Sequence, residues 1–250
     1  MERITLLLII ALAIAGNITT QQEASPNLKR LSLVAAAEKS SYIVGEPVDL
    51  TFSLSNVSDK TVEGNFCFGV DHYNPEVWYG KETQKPLLYV GNFPVAEDIT
   101  CLPRELSPHA SKSSSARLLY AVNPGWLILR EPGVYEFQLK YKLSDGDGTK
   151  IVSNVVQIKV EAAPESEKEA LRQWSDPELL DFVQGNAGFA PGAKVRDGFK
   201  KASAFYDAHG DSLYAKAARK GLLDYLTSRS RAQRLTTEEK VVFDRLSGEP

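Results

Sequence analysis

The chain has 250 residues, 43 % hydrophobic and 24 % charged, with 29 Lys and Arg against 32 Asp and Glu for a net charge of −3. That composition excludes wholesale disorder and leaves room for one large domain or two modest ones. The charge balance gives no electrostatic ground for binding nucleic acid or an anionic membrane.

Residues 1–15 read as a signal peptide. Arg3 supplies a short basic start, residues 4–15 (ITLLLIIALAIA) are apolar, and Ala13-Ile14-Ala15 is the small-x-small pattern that signal peptidase accepts. The run is shorter than the roughly 20 residues a hydrocarbon core requires. An uncleaved anchor or a buried helix is the competing reading, and the polar stretch NITTQQEASPN that follows weighs against both. Cleavage near Ala15 is therefore expected, with a flexible segment over 16–27 and no integral membrane segment afterwards. Removing Glu2 and Arg3 leaves the net charge unchanged, and the expected location is periplasmic or secreted.

Residues 28–162 carry a period of two. After a strand at 31–35, Val48, Leu50, Phe52 and Leu54 alternate with Asp49, Thr51 and Ser53, the mark of a strand with one buried and one wet face. Gly45-Glu46-Pro47 precedes that strand as a turn, and 56–59 closes it. Residues 62–70 put Val62, Phe66, Phe68 and Val70 on one face; weaker strands fit 87–90, 117–122 and 126–129. Tyr135, Phe137, Leu139, Tyr141 and Leu143 then alternate with polar neighbours. Residues 144–148 (SDGDG) form a hairpin turn, and Val152, Val156, Ile158 and Val160 line the next strand. About seven short strands with no helical period between them predict an antiparallel sandwich.

Cys67 and Cys101 are the only cysteines. After an export signal an even pair reads as one disulfide, the alternative being two free thiols. Closing that loop is worth about 3–4 kcal/mol in a chain-entropy treatment. Cys67 falls on the face opposite Phe66 and Phe68, which places the bond at the periphery.

At residues 131–137, EPGVYEF, the chain resembles the corner and start of strand F in the immunoglobulin fold, where a Tyr stands two residues before a core Cys. Phe137 stands where that Cys would be, and the spacing of Cys67, Trp78 and Cys101 does not match an antibody domain. Segments such as YIVGEPVDLTFSLSN and SNVVQIKVEA are similar to bacterial secreted immunoglobulin-like or fibronectin-like modules, over about half of the chain. The resemblance implies an Ig-like sandwich and specifies no activity.

Composition shifts over 163–168, read as a linker, and 169–250 read as helices. Leu171 and Trp174 mark a short helix. Ser175-Asp176-Pro177-Glu178 has a capping arrangement with Pro in the first turn, and Gly185 ends the helix it starts. Val195, Phe199, Ala202 and Phe205 make one apolar stripe; Tyr214, Ala218, Leu222 and Tyr225 make another. Thr236 and Glu239 cap a last helix through Leu246. FYDAHGDSLYAKAARKGLLDYL resembles the turn and second helix of a tetratricopeptide hairpin, without a second copy at the ~34-residue period; a plain small helical bundle packed on the sandwich is the equal alternative. The fold class expected is thus mainly β with separate α: an N-terminal Ig-like antiparallel β-sandwich followed by a small C-terminal helical unit.

Gly210-Asp211-Ser212-Leu213 spells the signature of a family of esterases. It lies late in the chain, follows a helix and has no His after it, so the base a serine nucleophile needs is missing. Asp211 or Ser212 is expected instead to cap the helix that begins there. His72, His109 and His209 form no ligand pattern, and Asp145-Gly146-Asp147-Gly148 has Val156 where a calcium loop needs an acid. Ser111 to Ser115 reads as loop. Neither a metal nor a cofactor is expected. Residues 71–94 read as the longest irregular stretch; Tyr73, Trp78 and Tyr79 there are either aromatics folded over a sandwich edge or a candidate surface for a protein or glycan partner. These features point to an exported, non-enzymatic binding or scaffold protein. The alternatives are a secreted peptidase inhibitor using the 71–94 loop and, behind it, an extracellular hydrolase.

Overall fold

The computed structural model describes residues 28–64, 66, 75–82, 84–89, 105–121, 125–142, 150–185 and 192–248. The expected signal peptide, Tyr73, Cys67, Cys101 and the turn expected at 144–148 lie outside them. In chain order the strands are β1 (Leu31–Ala37), β2 (Ser41–Ile43), β3 (Val48–Asn56), β4 (Val62–Glu63), β5 (Glu76–Lys81), β6 (Leu87–Leu88) and β7 (Glu105–Leu106). They continue with β8 (Ser111–Leu118), β9 (Tyr120–Ala121), β10 (Trp126–Leu127), β11 (Gly133–Lys142), β12 (Lys150–Val152) and β13 (Val156–Glu161).

Two sheets carry the β unit. The first has the order β1-β3-β8, all antiparallel; the second has the order β2-β13-β11-β5-β6, with β12 also paired to β11. The alternation in β3 and β11 behaves as the pattern demands. Leu50, Phe52 and Leu54 from the first sheet share one core with Val77, Phe137, Leu139 and Ile158 from the second. One pair departs from the antiparallel expectation: β2 runs parallel to β13. The opening segment pairs with β3 as β1 and, after residues 38–40, with β13 of the other sheet as β2. At the corner before β11 the Tyr135 hydroxyl donates to the Glu131 carbonyl at 3.1 Å. Asn56 is buried at the end of β3, and its side-chain amide donates to the carbonyls of Lys60 and Leu106.

Two expectations are corrected here. Ser111 to Ser115 is strand, not loop: β8 pairs with β3 from Val48↔Leu118 to Ser55↔Ser111. It has no apolar residue before Ala116, so its period of two is silent in the sequence. The 71–94 stretch is not irregular throughout either, because β5 sits inside the second sheet between β11 and β6.

The helices follow at once. After a 3-10 turn at Glu165–Glu167 come α1 (Lys168–Trp174), α2 (Pro177–Val183), α3 (Gly192–Ala208), α4 (Ala215–Arg231) and α5 (Thr237–Gly248). Asp176 caps α2 by accepting from the N–H groups of Glu178 and Leu179, with Pro177 in the first turn. At α5 the box closes both ways: Thr236 N–H donates to Glu239 at 2.7 Å, and Glu239 N–H donates to the Thr236 hydroxyl at 3.2 Å. Neither Asp211 nor Ser212 caps α4, which begins at Ala215 with Tyr214 in the N-cap position and no side-chain bond. The sequence offered two capping residue types, but the turn after His209 runs on to Tyr214 before helix begins. A Cβ on Gly221 would stand 3.0 Å from the Cα of Val183, so glycine there favours the close approach of α4 and α2. No helix among the described residues is long and apolar enough to cross a membrane.

The helices pack on the β unit. Leu119, Tyr120 and Leu127 of the β unit belong to the same buried cluster as Trp174, Phe182, Phe205 and Leu222. Helix and strand content are about equal among the described residues. "Mainly β" is thus too strong; antiparallel sheets followed by C-terminal helices is what the chain builds.

Candidate functional site

Three buried polar contacts fix the helical unit on the sheets. Trp174 Nε1 donates to the Gly45 carbonyl at 2.8 Å, and the Tyr214 hydroxyl donates to the Val44 carbonyl at 2.9 Å. The two rings stack with centroids 5.7 Å apart. Gly45 has φ +86°, and a Cβ there would come within 2.8 Å of Leu171, so the turn presents its bare backbone to this aromatic pair. The third contact is Gln184, at 0 % exposure. Its Oε1 accepts from the N–H of Leu119 at 2.8 Å and of Tyr120 at 3.3 Å, while its amide donates to the Arg117 carbonyl at 2.6 Å. The ladder breaks where β8 passes into β9, and one side chain from the end of α2 satisfies the groups left over.

The docked helices and the outer face of the first sheet bound an open cleft of about 2090 Å³. Its sheet wall includes Glu38, Asp49, Thr51, Ser115 and Arg117. Its helical wall includes Arg196, Lys200, Arg229 and Arg234, with the carboxylates of Asp224, Glu238 and Glu239 among them. Among the lining residues seven cations face five carboxylates, an excess of positive charge on a chain that is net negative. Arg117 holds Asp49 through two hydrogen bonds of 2.8 Å. Deeper in, the Tyr225 hydroxyl donates to Glu239 at 2.7 Å, and Arg229 lies 3.0 Å from the same carboxylate. Burial and the neighbouring carboxylate push the Tyr225 hydroxyl up to about 12. Burial raises Glu239, but bonds from Thr236 and Tyr225 and the charge of Arg229 outweigh it and hold the carboxyl below its usual range.

The sheet wall extends beyond the cleft as an ordered array. The register sets Ser32, Ser55 and Ser111 in one row; Val34, Ser53 and Ser113 in the next; and Ala36, Thr51 and Ser115 in the third. Ser113 donates to Ser53 at 3.0 Å across the pair. No ionisable side chain occurs in these rows before Asp49 and Arg117.

The candidate surface residues separate. Tyr79 is 3 % exposed and packs in the core beside Phe137 and Tyr89, which removes it from any surface. Trp78, next to it on the strand, points the other way onto the outer face of the second sheet. Its Nε1 donates to Glu76 at 3.2 Å, and Lys140 Nζ lies 4.3 Å from its ring centroid. Glu76 is also clamped by Lys142 and Lys150 at 2.9 Å. Burial raises its carboxyl, but these two ammonium groups and the indole N–H hold it at about 2.

His109 meets Asp59 on the surface at 2.9 Å. The Ser212 hydroxyl and His209 Nε2 are each buried without a hydrogen-bond partner among the described residues, so the two are not bonded to one another. Sequence reasoning passed over Arg196, Lys200 and Arg234. Their signal, the basic clusters KVRDGFKK and SRSRAQR, is visible in the sequence but reads there as solvated helix surface.

No family model and no curated protein matches the chain. Solved structures similar to it include the Pseudomonas fluorescens alkylpurine DNA glycosylase AlkC bound to DNA containing an abasic site analog. That match has 10 % identity and TM-score 0.31 over 53 % of this chain and 31 % of that one. A β-glucosidase from Listeria innocua matches at 13 % identity and TM-score 0.32, over 53 % of this chain and 16 % of the enzyme. The CARDB domain of a Pyrococcus furiosus protein matches at 12 % identity and TM-score 0.28, over 52 % of this chain and 94 % of the domain. The chain spans less than a third of the first two proteins, and likeness of this degree decides neither fold family nor function.

Proposed function

We propose that this chain is an exported, non-enzymatic binding or scaffold protein, an Ig-like sandwich with a helical unit docked on it, and that its binding site is the cleft between them. The observation that carries this reading is the cleft itself, whose helical and sheet sides are joined by the buried hydrogen bonds of Trp174, Tyr214 and Gln184. A preformed concavity lowers the ordering cost of association. The Ig-like part is supported by the strand orders β1-β3-β8 and β2-β13-β11-β5-β6 and by the Tyr135 corner. The inhibitor alternative loses support because residues 76–81, in the middle of its reactive loop, are a sheet strand. Export is supported by the apolar run over 4–15 and Ala13-Ile14-Ala15.

A photocrosslinker at Ser115 in the cleft should give adducts in the native compartment, and one at Gln157 on the opposite sheet should not. Equal labelling from both would refute the cleft as the binding site. Fluorophosphonate should leave the wild type unlabelled, because among the described residues no base is hydrogen-bonded to the Ser212 hydroxyl. Labelling that disappears in Ser212→Ala would overturn the non-enzymatic reading.

A further inference from the structure

Taking the cleft as the binding site, we infer that its ligand is an acidic polysaccharide, a hydroxyl-rich chain bearing carboxylates. Two independent features of the wall point there. The first is the sheet wall: Thr51 and Ser115 line the cleft, and the outer face that continues from them is Ser or Thr at seven of the nine positions in its three rows, with none ionisable. Each hydroxyl both donates and accepts, as sugar hydroxyls do, so the array can match a saccharide chain along its length without fixing one direction. The cross-strand spacing of about 4.8 Å and the same-face spacing of about 6.8 Å make it a regular grid.

The second feature is the rim. Arg196, Lys200 and Arg234 are exposed on the helical wall of the cleft that Thr51 and Ser115 enter from the other side. Exposed cations facing a wall that continues into hydroxyl rows favour a ligand that carries negative charge at intervals along a polar chain. A neutral glycan would leave the rim unused and would call for an aromatic platform. The aromatic side chains lining the cleft, Phe182, Phe199 and Tyr225, are packed against one another with centroids 5.2 to 6.2 Å apart. That packing also denies a nucleic acid its stacking surface. An acidic peptide would satisfy the rim, but it brings no hydroxyls of its own to answer the rows that continue from Thr51 and Ser115.

Calorimetric titration of the full mature chain separates these ligands. The probes are hexagalacturonate, its fully methyl-esterified form, which keeps the hydroxyls and loses the charge, and hexaglutamate, which keeps the charge and loses the hydroxyls. Hexagalacturonate should bind, with affinity falling as salt rises from about 20 to about 200 mM. Either comparison ligand should bind at least about tenfold more weakly. The exposed triple substitution R196Q/K200Q/R234Q should weaken hexagalacturonate at least about tenfold. T51V/S115A should weaken it with little change in the salt dependence, and Lys159→Gln on the other sheet should have no effect. Thermal melting of each variant at the wild-type temperature establishes that it is folded. No binding of hexagalacturonate, equal binding by the triple variant, or equal affinity for hexaglutamate or the ester would overturn the inference. If Ser115 still crosslinks specifically while all three probes fail, the ligand class is wrong and the cleft stands; if that crosslink fails as well, both fall.

Discussion

The outer faces of the two sheets solve the problem of meeting water in opposite ways. On the second sheet, charge is answered locally: Glu76 by Lys142 and Lys150, Trp78 by Lys140, Glu136 by Gln157, and Lys159 by Glu161. On the first sheet, short hydroxyl side chains cover the same kind of surface with almost no ion pairing until Asp49 and Arg117. A face whose charges are already paired has little left to offer a ligand. A face of hydroxyls keeps donors and acceptors available, and it is the one that the helices overhang. The lesson is that spare polar capacity, and not total polarity, distinguishes the two surfaces.

The comparison depends on the helices staying where they are, so its largest test is Trp174→Ala. Losing this buried ring, its stacking on Tyr214 and its bond to Gly45 should cost about 4 kcal/mol in urea unfolding. A cost under about 1 kcal/mol would mean that the helices are not held by this contact. Gln184→Leu comes next, at about 3 kcal/mol, because it strands the Leu119 and Arg117 backbone groups while keeping the volume. Protection of the Leu119 amide from hydrogen exchange should fall with it; unchanged protection would show that water or another group had taken over.

Glu76 tests the charged face. Its folded-state value of about 2 lies below the ordinary 4.5. The stabilisation is therefore fully present above pH 4.5 and is lost as pH falls toward 2. With both lysines partly in solvent, about 2 kcal/mol is a fair size. Glu76→Gln should lower stability at neutral pH by that order and flatten the acid limb of the stability profile, and an unaltered limb would remove Glu76 as its cause. The smallest effect belongs to the other face: Ser53→Ala with Ser113→Ala should change stability by less than about 0.5 kcal/mol. A loss comparable to that of Glu76→Gln would show that the hydroxyl face is structural and erase the contrast.

Much of the scaffold was readable as pattern. Val48 through Leu54 and Tyr135 through Tyr141 alternate because each strand has one buried face, and that period survives any detail of packing. Asp176 before Pro177 and Thr236 before Glu239 mark helix starts because a cap is satisfied by its own neighbours. Tyr135 at its corner is of the same kind, bonded four residues back. These are local facts, and local chemistry determined them.

Where a signal had to come from elsewhere in the chain, the sequence was silent or misleading. β8 looks like loop because the strand it completes, β3, supplies its order; Tyr79 looks like a surface aromatic until β11 and β6 pair on either side of it. Asp211 and Ser212 had the chemistry of a cap, but the turn in which they sit continues to Tyr214. The cleft brings Thr51 and Ser115 opposite Arg196 and Arg234, and only the docking of Trp174, Tyr214 and Gln184 puts them there. A short-range pattern can specify which face of a strand is buried; which exposed residues meet across a groove is decided by packing between distant segments, and exposed residues carry no period from which to read it.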